Sequence, residues 1–162
     1  PHGVVAALTA WNYPLALAAR KAGPALVAGN AVVLKGHEVT PLSGLALAAL
    51  AEKVGLPPGV FNVVTGRGRD VGARLVREGD LVSMTGSTRA GREIYRAGAD
   101  DIKVLRLELG GKAPFVVLAD ADLDRAVEAA VASRFVNCGQ VCTCNERMYL
   151  HRGIADAFLG KF

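Results

Sequence analysis

The sequence has little of several things, and each shortage removes a class of protein. Cysteine occurs three times in 162 residues, all within positions 138–144. An odd cluster of that kind is no disulfide framework and fits a reducing, cytoplasmic setting. No apolar run reaches the ~18 residues of a membrane span; the longest candidate, Gly44 to Ala51, is cut by Glu52 and Lys53. The first residues, Pro1-His2-Gly3, lack a charged leader, so no secretory signal is expected. Charge is nearly balanced, 19 basic against 15 acidic residues for a net +4, which says little about acidic partners. Aromatics are sparse at 6%, and none interleave with Arg67, Arg69, Arg74 and Arg77, so that stretch reads as a solvated face and not as a nucleic-acid surface.

What is present is apolar substance, 51% of the residues, too much for a disordered segment. At roughly 150 residues per domain the length suits one domain or slightly more. The chain opens almost directly on a strand-like run and stops at Lys161-Phe162 inside a helical pattern, and it is expected to be a piece of a longer protein.

Short β-branched runs alternate with Ala- and Leu-rich stretches. Strands are predicted at Gly3–Leu8, Ala31–Leu34, Val60–Val64, Leu81–Met84, Val104–Glu108 and Phe115–Leu118. Helices are predicted at Pro14–Ala28, Thr40–Val54, Asp70–Arg77, Ser87–Ala97 and Leu123–Val136. Thr40 is the expected N-cap of the second helix, with Pro41 as its first residue and Gly55 as its stop. Asp120 or Asp122 would cap the last. This rhythm implies an α/β fold with a mainly parallel sheet.

Two glycine-bearing loops stand where a strand would pass into a helix. Gly66-Arg67-Gly68-Arg69-Asp70-Val71-Gly72 reads G-x-G-x-x-x-G, one residue from the dinucleotide fingerprint. The acidic ribose ligand of an ordinary Rossmann site is missing, since Met84-Thr85 ends the next strand. Thr85-Gly86-Ser87-Thr88-Arg89-Ala90-Gly91 is the second loop. Both can be tight βα turns or backbone cradles for a pyrophosphate, and two in one sheet leave the readings evenly matched. Gly110-Gly111-Lys112-Ala113 is no P-loop, because no Ser or Thr follows the Lys.

The cysteines lie in Asn137-Cys138-Gly139-Gln140-Val141-Cys142-Thr143-Cys144. Their C-x3-C-x-C spacing offers zinc three thiolates and no clear fourth ligand, His151 being placed on the next predicted strand. Asp120-Ala121-Asp122-Leu123-Asp124 lacks the Gly and Glu of a calcium loop. No metal site is expected. A nucleophilic Cys remains, with the other two thiols read as buried and inert.

Together these segments resemble the aldehyde dehydrogenase superfamily. Ala10-Trp11-Asn12-Tyr13-Pro14 resembles the family's P-W-N-[FY]-P, and Lys35-Gly36-His37-Glu38-Val39-Thr40-Pro41 its K-P-[SA]-E-x-T-P. Phe61 to Gly66 and Met84 to Ser87 are similar to its two cofactor loops. Leu107-Glu108-Leu109-Gly110-Gly111-Lys112 resembles its glutamate signature, and Asn137-x-Gly139-Gln140-x-Cys142 its cysteine signature. Gly68-Arg69 and Gly139 to Arg147 look most like lactaldehyde and glycolaldehyde dehydrogenases.

The resemblance implies a Rossmann-like parallel-sheet cofactor domain over residues 1–107, running into the start of an α/β catalytic domain over 108–162. It implies NAD(P)-dependent oxidation of a small aldehyde to its acid, in the cytoplasm, by a chain that forms homo-oligomers at full length and binds neither nucleic acid nor membrane. Cys142 would be the nucleophile, passing through a thiohemiacetal and a thioester. Asn12 would help hold the oxyanion, and Glu108 would activate water in partly apolar surroundings. Lys35 and Glu38 would hold the adenosine ribose, Gly66, Gly86 and Ser87 the pyrophosphate, and Trp11 and Leu109 would line the cofactor cleft. Glu38 would favour NAD, with NADP also possible because Lys35 lies beside it. Cys138 and Cys144 match no family role. Two rivals are a CoA-acylating semialdehyde dehydrogenase, against which Glu108 speaks, and an inactive nucleotide-binding fragment. Ala10 and Gly36-His37 depart from the family pattern, and the later E-[IV]-F-G-P motif is absent.

Overall fold

A computed structural model describes all residues, Pro1–Phe162. The run Val4-Val5-Ala6-Ala7-Leu8 has no polar residue to turn toward water, and it forms strand β1 (Val4–Leu8) at the centre of a sheet. Successive side chains of a strand point to opposite faces. Accordingly Val5 and Ala7 join one core cluster and Ala6 joins another, all three at most 3% exposed. Burial on both faces is what a continuous apolar run signals in a parallel sheet.

The chain divides into two compact units, Pro1–Leu109 and Gly110–Phe162. In the first, β1 is followed by α1 (Pro14–Val27), β2 (Ala31–Lys35), α2 (Leu42–Lys53), β3 (Phe61–Val64), α3 (Ala73–Glu78), β4 (Leu81–Thr85), α4 (Thr88–Gly98) and β5 (Val104–Glu108). The sheet order is β3-β2-β1-β4-β5, and every pairing is parallel. Residues of α1 and α2 pack on the face of Val5, Ala7, Val32 and Leu34. Residues of α3 and α4 cover the face of Ala6, Val82 and Met84. This is the doubly wound α/β arrangement, Rossmann-like as expected.

The predicted strands and helices of this unit are present within a few residues, with two local corrections. Thr40 does not cap α2. The backbone N–H of Thr40 closes a turn onto the His37 carbonyl (3.0 Å), Pro41 already has α-region angles, and the buried Thr40 hydroxyl makes no hydrogen bond. The helix does end at Gly55, where the Gly55 and Leu56 N–H groups donate back to Glu52 and Ala51. The helix predicted from Asp70 begins earlier, as a π turn over Gly68–Gly72 that runs into α3. Three successive N–H groups, those of Asp70, Val71 and Gly72, point at the Arg67 carbonyl and widen that turn.

The second unit has β6 (Pro114–Val117), α5 (Leu123–Phe135), β7 (Arg147–Leu150) and α6 (Ala155–Lys161), with 3-10 turns at Val136–Gly139 and Arg152–Ile154. Strands β6 and β7 pair in parallel. Asp122 caps α5 by accepting from the N–H groups of Asp124 (3.1 Å) and Arg125 (3.2 Å). Val117, Ala130 and Phe158 form its core, with Phe158 fully buried. His151 lies just past β7, not on a strand, because its ring accepts from the Gly153 N–H and starts a turn. No helix of the chain is long and apolar enough to cross a membrane.

Candidate functional site

Parallel strands end at one edge, so the loops leaving β1 to β5 gather along that edge of the first unit. The winding direction reverses between β1 and β4, with β2 and β3 on one side and β5 on the other. In an open α/β sheet a ligand crevice lies outside the carboxyl ends of the strands at such a switch point. The loop after β1 brings Trp11, 43% exposed, and the half-buried Asn12 to it. The loop after β4 brings Gly86 and Ser87. Ser87 caps α4 by accepting from the Ala90 N–H (3.2 Å), and the Gly86 N–H donates to the Glu108 carbonyl (3.0 Å).

The loops after β2 and β3 are joined to each other. Glu38, exposed, accepts from the Gly68 N–H at 3.2 Å. Lys35, the last residue of β2, is 5% exposed and donates to the Gly36 carbonyl at 3.0 Å. Burial lowers its pKa from the usual lysine value, and the nearby Glu38 carboxylate works the other way. Gly66 has φ +141°, and a Cβ there would lie 2.5 Å from a Val71 methyl, so only glycine suits the position. A buried ammonium, glycine backbone free of side chains and the start of an eleven-residue helix are donors suited to the phosphates of a dinucleotide, and the exposed carboxylate is an acceptor suited to a ribose hydroxyl.

Glu108 ends β5, an edge strand, and its side chain is exposed, so the partly apolar surroundings expected for it are not found in this chain. Leu109 packs over Gly91 of α4, where its methyl carbons stand 2.7 Å from the position of an added Cβ. The structure also supplies a residue that the sequence did not single out. Lys21 of α1 donates to the Ser83 hydroxyl of β4 at 3.1 Å. Its pKa falls to about 8, mainly through burial and then through the charge of Arg20, while the Glu108 carboxylate acts in the opposite sense. The available signal was its place beside Ala22, on the border of the buried face of α1.

Cys142 belongs to the second unit, in the loop between α5 and β7, and is exposed. Cys144 is buried, its thiol 3.9 Å from the Val136 carbonyl. Cys138 is exposed, so only one of the two other thiols is buried as expected. The loop leaves α5 with three successive residues at positive φ, namely Asn137 at 49°, Cys138 at 57° and Gly139 at 74°. It rejoins the unit through Asn145, 4% exposed, whose side-chain amide donates to the Ala130 carbonyl at 3.1 Å.

A model of the aldehyde dehydrogenase family matches residues 1–162. The chain is 57% identical over 164 residues to 3,6-anhydro-alpha-L-galactose dehydrogenase of Vibrio sp. (strain EJY3), covering 100% of this chain and 34% of that protein. It is 48% identical over 161 residues to lactaldehyde dehydrogenase of Escherichia coli (strain K12), covering 98% and 34%. A solved structure of 3,6-anhydro-L-galactose dehydrogenase in complex with NAP superposes with a TM-score of 0.94 at 60% identity, over 100% of this chain and 34% of that one. The chain thus spans about a third of the length of the curated relatives it matches. With the family model matched from end to end and the sheet superposing on a solved relative, the chain belongs to the aldehyde dehydrogenase family.

Proposed function

We propose that this chain is the central part of an NAD(P)-dependent aldehyde dehydrogenase that converts a small aldehyde, of the lactaldehyde or glycolaldehyde kind, to its carboxylic acid. The first unit is read as part of the cofactor domain and the second as the start of the catalytic domain. The observation that carries the reading is an exposed thiol, Cys142, on a side-chain- and backbone-anchored loop of a chain that matches the family throughout.

In this reading the Cys142 sulfur, as thiolate, attacks the aldehyde carbon and forms a thiohemiacetal. The Asn12 amide and the Cys142 N–H stabilise the oxyanion, a neutral donor pair suited to a charge that comes and goes. The bound nicotinamide dinucleotide supplies an acceptor for the hydride lost from that carbon, leaving a thioester on Cys142. Glu108 takes a proton from water, whose oxygen attacks the thioester carbon; the acid leaves and Cys142 is restored. Lys35 and Glu38 hold the adenosine ribose, Gly66, Gly86 and Ser87 border the pyrophosphate, and Trp11 and Leu109 line the cleft. A free 2′-hydroxyl suits Glu38 better than a phosphate, which favours NAD, although the relative solved with NAP shows that similar chains take the phosphate form.

The test is Cys142→Ser in the full-length enzyme with a short 2-hydroxyaldehyde, followed by NADH absorbance. Loss of turnover is expected, and retained turnover removes Cys142 as nucleophile. Formation of an acyl-CoA product on adding CoA would favour the acylating alternative.

A further inference from the structure

One side chain of α5 makes two of the contacts that hold the Cys142 loop. Arg134 stands in the last turn of α5, one residue before the helix ends. Its Nη1 donates to the Asn145 carbonyl at 3.1 Å and to Glu146 Oε1 at 3.0 Å, both beyond Cys142 in the chain. The same guanidinium faces the near side of the loop. A Cβ added to Gly139 would lie 3.1 Å from Arg134 Nη2 and 3.2 Å from the Arg134 carbonyl. A side chain at Gly139 would thus be crowded by Arg134, and at φ +74° it would also be strained in its backbone. Glu146 is fixed in turn, its N–H donating to the Ala113 carbonyl at 2.9 Å and its carboxylate lying 4.0 Å from Lys112.

From this arrangement we infer that Arg134 is a positioning residue for Cys142. It ties the chain just beyond Cys142, at Asn145 and Glu146, to the end of α5, and lies beside Gly139 on the near side of the loop. The inference rests on Cys142 being the nucleophile, as proposed above. The loop that carries Cys142 is irregular in its backbone. The segment has three consecutive left-handed residues and only Cys144 and Asn145 buried within it. A planar guanidinium with five donors can bridge two acceptors in fixed directions, whereas an ammonium presents a single point of charge. Arg134 does not touch the reacting atoms; its effect on the reaction runs through the placement of the thiol, where a displacement of 1 Å can cost about 10²-fold in rate.

The test combines kinetics with thiol labelling of the native full-length enzyme by iodoacetamide, read by peptide mass spectrometry. In the parent protein Cys138 and Cys142 are expected to label and the buried Cys144 to be spared. Arg134→Ala is expected to lower kcat by roughly ten- to a hundredfold, with KM for the cofactor unchanged, and to open Cys144 to labelling. Glu146→Gln keeps an acceptor for Nη1 and is expected to retain most of the activity that Glu146→Ala loses. Should Arg134→Ala not fold, Arg134→Lys serves instead, with a smaller loss of kcat and partial labelling of Cys144. Parent-like kcat together with a spared Cys144 in Arg134→Ala overturns the inference. Retained turnover in Cys142→Ser would instead remove the nucleophile reading on which the positioning role of Arg134 depends, and the two failures are read from different variants.

Discussion

The two units use the same parts, parallel strands joined by helices, yet they hold their functional loops by different means. In the first, a five-stranded sheet is covered on both faces, and two apolar clusters fix the strand ends from which the cofactor-side loops depart. In the second, a two-stranded sheet carries one cluster centred on Phe158, while Phe135, Val136 and Tyr149 remain about half exposed or more. Its loop is anchored by Arg134, Asn145 and Glu146 in place of apolar burial. Polar anchoring is directional but gains little net free energy for each bond. A cofactor-side loop can thus rely on the sheet beneath it, whereas the Cys142 loop is held largely by directional polar contacts.

The contrast can be broken most directly at Phe158. Truncating this fully buried ring in Phe158→Ala should cost about 3–5 kcal/mol, which the smaller core of the second unit cannot redistribute. Trp11, the single tryptophan, reports on the first unit. Denaturation followed by its fluorescence should keep its midpoint, while the helical circular dichroism signal loses part of its amplitude earlier. A matching shift of both signals would mean that the units unfold as one.

A smaller loss is expected at the mouth of the loop. Gly139→Ala forces an alanine to φ +74° against the Arg134 carbonyl, and strain of this kind costs about 1–3 kcal/mol. Reduced thermal stability together with new labelling of Cys144 would show the effect at the loop. Asp122→Ala removes the cap of α5 and should cost about 1 kcal/mol in denaturant titrations, with little change in kcat because the cap is at the opposite end of the helix from Arg134.

The finest test concerns Lys21 in the first unit, whose pKa in the folded chain lies at about 8, below the usual lysine value of 10.5. Between these values the unfolded chain binds more protons than the folded one, so Lys21 makes stability rise as pH increases from about 8 to about 10.5. Below that window the charged amine is disfavoured by burial at constant cost. Lys21→Met should flatten this part of the pH–stability curve. An unchanged slope would show that the amine is not held by α1 and β4 as described.

Much of this was legible in order along the chain. The apolar run of β1 and the alternation of strand with helix pointed to a parallel sheet, since only burial on both faces allows Val5-Ala6-Ala7 to lack a polar partner. The stop of α2 at Gly55 and the cap at Asp122 were equally plain, because capping is local chemistry between residues a few positions apart. Thr40 misled for the complementary reason. Its local pattern suits a cap, but the turn from His37 to Thr40 had already claimed the backbone. Lys21 and Arg134 carry no local signal of these contacts, as neither the Ser83 hydroxyl sixty-two positions away nor the Asn145 carbonyl across the loop is visible from sequence neighbours.

The sequence alone therefore determined what depends on composition and short-range pattern: an α/β chain, its order of elements, and the candidate residues Asn12, Glu108 and Cys142 in their motifs. Tertiary structure decided which side chains are reached by others. It joined Glu38 to Gly68, drew Lys21 inward until burial lowered its pKa, separated the buried Cys144 from the exposed Cys138, and set Arg134 across the loop of Cys142. These are properties of desolvation and of long-range hydrogen bonding, and they exist only once distant segments of the chain share one environment.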